Sequence, residues 1–323
     1  MIFYRTLMIG DMKILITGIH GFVGSNLVQA LGDNNELFGV DIISDAMKNV
    51  QRIFSWEDLK RGLIPPVEAV IHLAGKAHDV KKTSSPGVYF KVNTGLTQKI
   101  YDWFLASPAR KFIFFSSVKA AADFVPGDLL TEDIVPHPVG PYGESKIKAE
   151  EYILNHPAYE KQVYILRPCM IHGPGNKGNL NLLHQVIKKG IPWPLGAFEN
   201  RRSFTSIGNL IFIIDGLLTK NVVSGIYNVG DDEALSTNEL IRIICKVYGN
   251  KRRIWRLPRG LMMGLAKVGD WFHLPLNTER INKLVENYIV SNQKIKNALN
   301  IDHLPIRASE GLMRTIESFR KDE

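Results

Sequence analysis

Cysteine is scarce. Cys169 and Cys245 are the only two in 323 residues, and neither belongs to a CxxC pair or to a Cys/His cluster of metal-ligand spacing. A disulfide framework and a structural zinc site are thereby excluded, and a reducing, cytoplasmic compartment is expected. Long apolar runs are also lacking: no segment approaches the ~20 residues that a membrane-spanning helix needs. Residues 1–11 hold one Arg and a short apolar stretch, too little charge and length for a secretory signal. They read as an N-terminal extension, with Met12 an alternative start directly before the first strand. Internal repeats, low-complexity tracts and linkers long enough to separate independent domains are missing too.

What is there is a chain with 45% apolar residues, enough to bury a sizeable core, and a formal charge of +8. Such a charge suits nucleic acid, an anionic membrane surface or an anionic small substrate. The densest basic cluster, Lys251, Arg252, Arg253, Arg256 and Arg259 around Trp255, comes with no recognisable nucleic-acid-binding motif. It is read as a solvated basic face, and no nucleic-acid partner is expected.

Lys13–Thr17 is a short apolar run ending at a glycine, Phe22–Leu31 has helical apolar spacing, and Glu36–Asp41 reads as a second strand. Further strands are expected at Ala69–Leu73, Lys111–Phe115 and Val163–Leu166, with helices at Val88–Leu105 and Tyr142–Leu154 between them. This alternation predicts an α/β fold with a doubly wound parallel sheet. After Arg167 the rhythm breaks into Gly- and Pro-rich loops with helices near Leu180–Lys189 and Thr237–Val247. A smaller, interleaved carboxyl-terminal lobe is expected over 168–323, beside a dinucleotide-binding domain over 12–167.

Gly18, Gly21 and Gly24 lie between the first strand and the first helix, where backbone amides and a helix N-terminus hold a pyrophosphate. Phe22 and Val23, between the last two glycines, are counted with them as cofactor-side residues. Asp41 closes the second strand about 20 residues beyond the glycines, where a carboxylate binds the adenosine ribose hydroxyls and repels a 2′-phosphate. NAD is therefore expected over NADP.

Tyr142 and Lys146, four apart at the start of a helix, project from one face. An ammonium beside a phenol favours the phenolate, which makes Tyr142 a candidate acid/base. Ser116 and Ser117 follow the strand Lys111–Phe115 at the carboxyl edge of the sheet, where ligands bind in such folds. The Ser117 hydroxyl would share the reacting oxygen with Tyr142.

Gly18 to Gly24, Asp41, His72-Leu-Ala-Gly75, Asn93, Ser116-Ser117, Pro141-Tyr142-Gly-Glu-Ser-Lys146 and Arg167-Pro168 together resemble the extended short-chain dehydrogenases of the nucleoside-diphosphate-sugar epimerase/dehydratase family. The resemblance covers nearly the whole chain from Met12 and implies a Rossmann-type fold. It implies a catalytic triad of Ser117, Tyr142 and Lys146, with Lys146 also holding the nicotinamide ribose. Leu73, Ala74, Gly75, Asn93, Ser116 and Pro168 would lie along the cofactor. Lys177, Asn179 and Arg202 resemble the loops around a sugar-nucleotide diphosphate, with Arg202 the phosphate clamp, since a guanidinium meets phosphate oxygens in bidentate fashion.

The resemblance spans epimerases, dehydratases, reductases and decarboxylases, so the fold does not choose the chemistry. The 4,6-dehydratases carry an Asp-Glu pair after the catalytic hydroxyl residue, and Val118 and Lys119 stand here instead. The expected activity is NAD-dependent 4-epimerisation of a UDP-hexose or UDP-N-acetylhexosamine through a 4-keto intermediate, in surface polysaccharide biosynthesis. The alternative is an NAD(P)H-dependent reductase of a UDP-4-keto-6-deoxy-hexosamine. A catalytically silent scaffold is disfavoured by the intact Ser117, Tyr142 and Lys146. A last segment, Leu261 to Leu274, sets Met262, Met263, Leu265, Trp271 and Phe272 beside basic residues. It is read as core or a homodimer face rather than as membrane contact.

Overall fold

The computed structural model describes residues 11–76, 85–176, 179–190, 192–249, 254–272 and 277–321. Seven strands, β1 (Lys13–Thr17), β2 (Glu36–Val40), β3 (Arg52–Phe54), β4 (Ala69–His72), β5 (Lys111–Phe115), β6 (Gln162–Pro168) and β9 (Gly225–Val229), form one sheet in the order β3-β2-β1-β4-β5-β6-β9. Every pairing in it is parallel. The order reverses at β1, so the loops leaving β1 and β4 diverge at a switch point, the usual ligand crevice of an open parallel sheet. A second sheet pairs β7 (Met170–His172) with β8 (Phe204–Ser206).

The strands are apolar without interruption because both faces of the sheet are covered. Successive side chains take opposite faces. Ile14, Ile16, Ile71, Ile113 and Phe115 pack on the helix Phe22–Leu31 and on Ile207–Thr219. Leu15, Val70, Phe112 and Phe114 pack on Ile100, Tyr101 and Phe104 from the opposite side.

The expected helix over 88–105 runs from Pro86 to Ala106 and contains a π-helical turn at Phe90–Thr94. The helix Ile207–Thr219 shows no amphipathic period because nearly all of it is buried. Its carboxyl end is closed by Lys111, whose Nζ donates to the carbonyls of Leu217, Leu218 and Lys220 at 2.7–2.8 Å. The helices Asn179–Lys188, Thr237–Tyr248 and Ala308–Lys321 surround a separate core of Leu180, Phe204, Ile241, Leu312 and Ile316. In the 261–274 segment, expected as core or a homodimer face, Met262 and Ala266 are buried, Met263 is half-buried, and Leu261, Leu265, Val268, Trp271 and Phe272 are exposed, while Leu274 lies outside the described residues.

Candidate active site

Three chain segments meet at the switch point. After β1, Gly18 turns with φ +69°, and a Cβ there would lie 2.8 Å from the Ala74 backbone. Gly24 packs its bare Cα on the carbonyls of Gly18 and Ile19, which leaves no room for a side chain. Gly21 instead caps the helix Phe22–Leu31 from extended backbone, with no side-chain cap and no acid in the first turn. The positive end of the helix is therefore left without a capping side chain or a neighbouring acid, as anion binding requires.

Asp41 is held from both carboxylate oxygens. Oδ2 accepts from the His20 amide at 3.0 Å, and Oδ1 accepts from the Ile42 amide at 2.7 Å. The loop thus aims Asp41 across the glycine turn. The His20 ring beside it, with Nδ1 3.3 Å from Oδ2, was not singled out in the sequence. A dinucleotide whose ribose lies on Asp41 is expected to bind as NAD at least tenfold more tightly than as NADP, since the carboxylate would face a 2′-phosphate. Calorimetry with both cofactors reads this directly, and equal affinities would remove Asp41 from the role.

The segment after β4 is fixed by a chain of hydrogen bonds through His72, a fully buried histidine whose part the sequence did not disclose. Thr97 donates to the Asn93 carbonyl at 2.6 Å, so its oxygen accepts from His72 Nε2 at 2.9 Å. Nδ1 is then the acceptor for Thr17 Oγ1 at 2.6 Å, and the Ala74 amide donates to the same Thr17 oxygen at 3.1 Å. This pattern needs a neutral imidazole, and burial, helped by the Lys146 charge, holds His72 well below the usual histidine range.

Asn93 sits in the π-helical turn. Its side chain is engaged by the backbone of Lys76 at 2.7 and 3.2 Å and by Ser145 Oγ at 2.9 Å. Its amide ties the β4 loop to the helix Gly140–Asn155.

That helix carries Tyr142 and Lys146. The Ser117 hydroxyl hydrogen-bonds the Tyr142 side chain; Ser117 is buried and Tyr142 half-buried. Ser117 also caps the short helix Val118–Ala121 by accepting from the Lys119 amide at 3.2 Å. The Lys146 Nζ donates to the Phe115 carbonyl at 2.6 Å and would be 3.2 Å from a Cβ on Gly75. Ser117, Tyr142, Lys146 and the Leu73–Gly75 segment are therefore one site. Its electrostatics differ from the sequence expectation. Burial raises the Tyr142 phenol above its ordinary value, the Ser117 hydrogen bond opposes this, and Tyr89 adds to it. The Lys146 ammonium is pulled down by burial to about 8, against the Glu150 carboxylate.

Behind the triad lies a buried ion pair. Arg167 Nε and Nη2 grip Glu150, the shortest contact being 2.5 Å, with both side chains essentially inaccessible to water. Ser116 Oγ donates to Glu150 Oε1. Ser116, expected along the cofactor, has its hydroxyl turned into this pair, while Pro168 is buried at the end of β6. Glu150 was missed in the sequence, although it stands four residues beyond Lys146 on the same helical face.

On the substrate side, Arg202 pairs in both directions with the Leu235 backbone, and its guanidinium meets Glu286 at 3.6 Å. Burial lowers its pKa and Glu286 opposes that. The neighbouring segments reach the helix that follows Ser117. Ser203 accepts Val290 through Oγ, and Tyr288 donates its hydroxyl to the Ala122 carbonyl at 2.7 Å, beside the Ser117 helix. Lys177 lies outside the described residues, and Asn179 opens the helix Asn179–Lys188. Lys119, where a dehydratase would carry an acid, is bound to Asp123 at 2.9 Å.

The NAD dependent epimerase/dehydratase family model matches residues 14–230. A UDP-glucose 4-epimerase of Vibrio cholerae is 31% identical over 77% of this chain and 80% of its own. An N-acetyl-alpha-D-glucosaminyl-diphospho-ditrans,octacis-undecaprenol 4-epimerase of Escherichia coli O157:H7 is 30% identical over 94% of both chains. In structure, a UDP-glucuronic acid 4-epimerase from Bacillus cereus in complex with NAD superimposes with a TM-score of 0.73, at 22% identity over 96% of this chain and 99% of that one.

Proposed function

The chain belongs to the NAD dependent epimerase/dehydratase family, and we propose that it is an NAD-dependent 4-epimerase of a UDP-hexose or UDP-N-acetylhexosamine serving surface polysaccharide synthesis. The observation that carries this reading is the assembled Ser117, Tyr142 and Lys146 beside Gly75, with Val118 and Lys119 where a dehydratase needs carboxylates.

The residues fit NAD. The helix end behind Gly21, with no side-chain cap, suits the pyrophosphate, Asp41 suits the adenosine ribose, and Lys146 suits the nicotinamide ribose. Bound there, NAD supplies a reversible acceptor for the hydride of sugar carbon 4. Tyr142 takes the proton of the 4-hydroxyl as that carbon becomes a ketone, and returns it when the keto-sugar has presented its other face. Ser117 holds the same oxygen through its hydroxyl. Lys146 brings a positive charge to the phenolate that forms, which lowers the energy of the ionised Tyr142 when it is needed. Arg202 binds the diphosphate, exchanging part of its contact with Glu286 for phosphate oxygens.

The diphosphate need not end in a nucleoside. The Escherichia coli relative, matched over 94% of both chains, acts on a sugar carried by undecaprenyl diphosphate. The sugar and diphosphate are common to both substrate types, and we place both within this site. The two cysteines, buried and in no disulfide, suit a cytoplasmic reaction; a second copy of the chain is the protein partner this reading carries.

The test is incubation with UDP-glucose, UDP-N-acetylglucosamine and a UDP-4-keto-6-deoxy-N-acetylhexosamine, following both sugar products and NADH. The 4-epimers of the hydroxyl sugars are expected, over many turnovers, with no net change in cofactor absorbance. Stoichiometric loss of NADH or NADPH with the keto-sugar alone would make the protein a 4-ketosugar reductase instead.

A further inference from the structure

The helix Arg259–Trp271 is apolar on two sides. One side buries Met262 and Ala266 against Leu195 and Ile281, the anchorage a surface helix requires. The other shows Leu261, Leu265, Val268, Trp271 and the following Phe272 to solvent, Trp271 at 79% and Phe272 at 62% exposure. At about 100° per residue these five side chains share a stripe roughly 120° wide. The Trp271 and Phe272 rings lie 5.2 Å apart at one end of it. Water gains nothing from such a stripe, and tryptophan is the side chain most at home where apolar and aqueous phases meet.

Exposed cations flank the stripe. Arg256, Arg259 and Lys267 are exposed beside it. Asp270, the only acid of the helix, is taken by the amide and hydroxyl of Thr278 at 2.9 and 2.5 Å. Lys251, Arg252 and Arg253 come just before in the sequence. A second copy of the chain meeting this face about a two-fold axis would set cation against cation. An anionic headgroup layer complements the same pattern, with the apolar stripe entering the acyl boundary.

We propose that the helix Arg259–Trp271 docks the protein onto an anionic lipid surface, so that the site meets a sugar whose diphosphate is carried on a polyprenyl chain in that bilayer. This rests on the sugar-diphosphate epimerase reading above. The route from helix to site is short: Met262 and Ala266 pack on Ile281 in the helix Thr278–Val285, whose next residue, Glu286, holds Arg202. No helix among the described residues is long and apolar enough to cross a membrane, so the contact is interfacial.

The test is flotation of the full chain with phosphatidylcholine vesicles containing about one third phosphatidylglycerol, compared with pure phosphatidylcholine and with high salt. The wild type is expected to float with the anionic vesicles alone and to be released by salt. A variant with both Trp271→Ser and Phe272→Ser should lose at least about tenfold in vesicle binding. It should keep its turnover of a UDP-sugar and lose turnover of a polyprenyl-diphosphate N-acetylglucosamine embedded in the vesicles. A wild type that stays at the bottom of the gradient, or a double variant that floats equally well, overturns the proposal. So does a wild-type dimer in sedimentation velocity that the double variant converts to monomer. Flotation without turnover of either sugar form would leave docking standing and remove the epimerase reading. Turnover of the UDP-sugar without flotation would do the reverse.

Discussion

Replacement of Tyr142 by phenylalanine is expected to lower turnover by about 100-fold or more while leaving NAD binding close to that of the wild type. The substitution removes one hydroxyl. The ring remains, and with it the edge contact to Tyr89 at 6.4 Å and the packing of the buried helix face. What is lost is the group that the Ser117 hydroxyl engages and that must hold a proton during oxidation of the sugar. Turnover on the identified sugar and calorimetric NAD affinity, measured on the same preparation, decide the matter. A Tyr142→Phe protein with near-normal turnover would move the proton transfer to another residue.

Lys146→Met is expected to abolish activity and to stabilise the cofactor-free fold at neutral pH. The ammonium is buried, and its pKa falls from 10.5 to about 8. A drop of roughly 2.5 in pKa corresponds to about 3 kcal/mol of folding free energy spent on keeping the charge inside. Methionine forfeits the hydrogen bond to the Phe115 carbonyl, worth about 1 kcal/mol, and leaves Glu150 to Arg167 alone. The net gain at pH 7 is then about 2 kcal/mol. Its sign follows from proton uptake: between pH 8 and 10.5 the unfolded chain binds the proton that folded Lys146 has released, so wild-type stability rises with pH across that window. The advantage of the variant should therefore be full below about pH 8 and shrink towards pH 10.5. Urea unfolding at the two ends of that range tests it. A variant less stable at pH 7, or one whose advantage is the same at both ends, would show that Lys146 is not a strained charge in this fold.

That strain was outside the reach of the sequence. Tyr142 and Lys146, four apart, announce a shared face, and an ammonium near a phenol suggests a lowered phenol pKa. Burial decides the opposite sign for Tyr142 in the free protein, and burial belongs to the whole fold rather than to a spacing. Ser116 shows the same thing at shorter range. In the serine pair after β5 the sequence reading gives a chemical role to the Ser117 hydroxyl alone; strand alternation turns Ser117 towards Tyr142 and sends the Ser116 hydroxyl into Glu150, a partner that no local pattern names. Arg202 was legible as a cation in a loop of the right kind. Its partner Glu286 is 84 residues away, and no local pattern connects them.

By itself the sequence determined the local elements and the cofactor side of the site. The run Lys13–Thr17, the helix Phe22–Leu31 with its three glycines, and Asp41 lie within one strand-turn-helix-strand unit, where turn geometry and apolar period are set by neighbours in the chain. Tertiary structure alone decided what depends on segments far apart. It added β9 to the sheet from the carboxyl-terminal half, closed Glu150 onto Arg167, and strung Thr17, His72, Thr97 and Asn93 into one hydrogen-bonded chain. It also decided which side of the helix Arg259–Trp271 is covered. Both sides are apolar, so the pattern names no core face, and only the packing of Ile281 and Leu195 on Met262 and Ala266 leaves Leu261, Leu265, Val268, Trp271 and Phe272 in water.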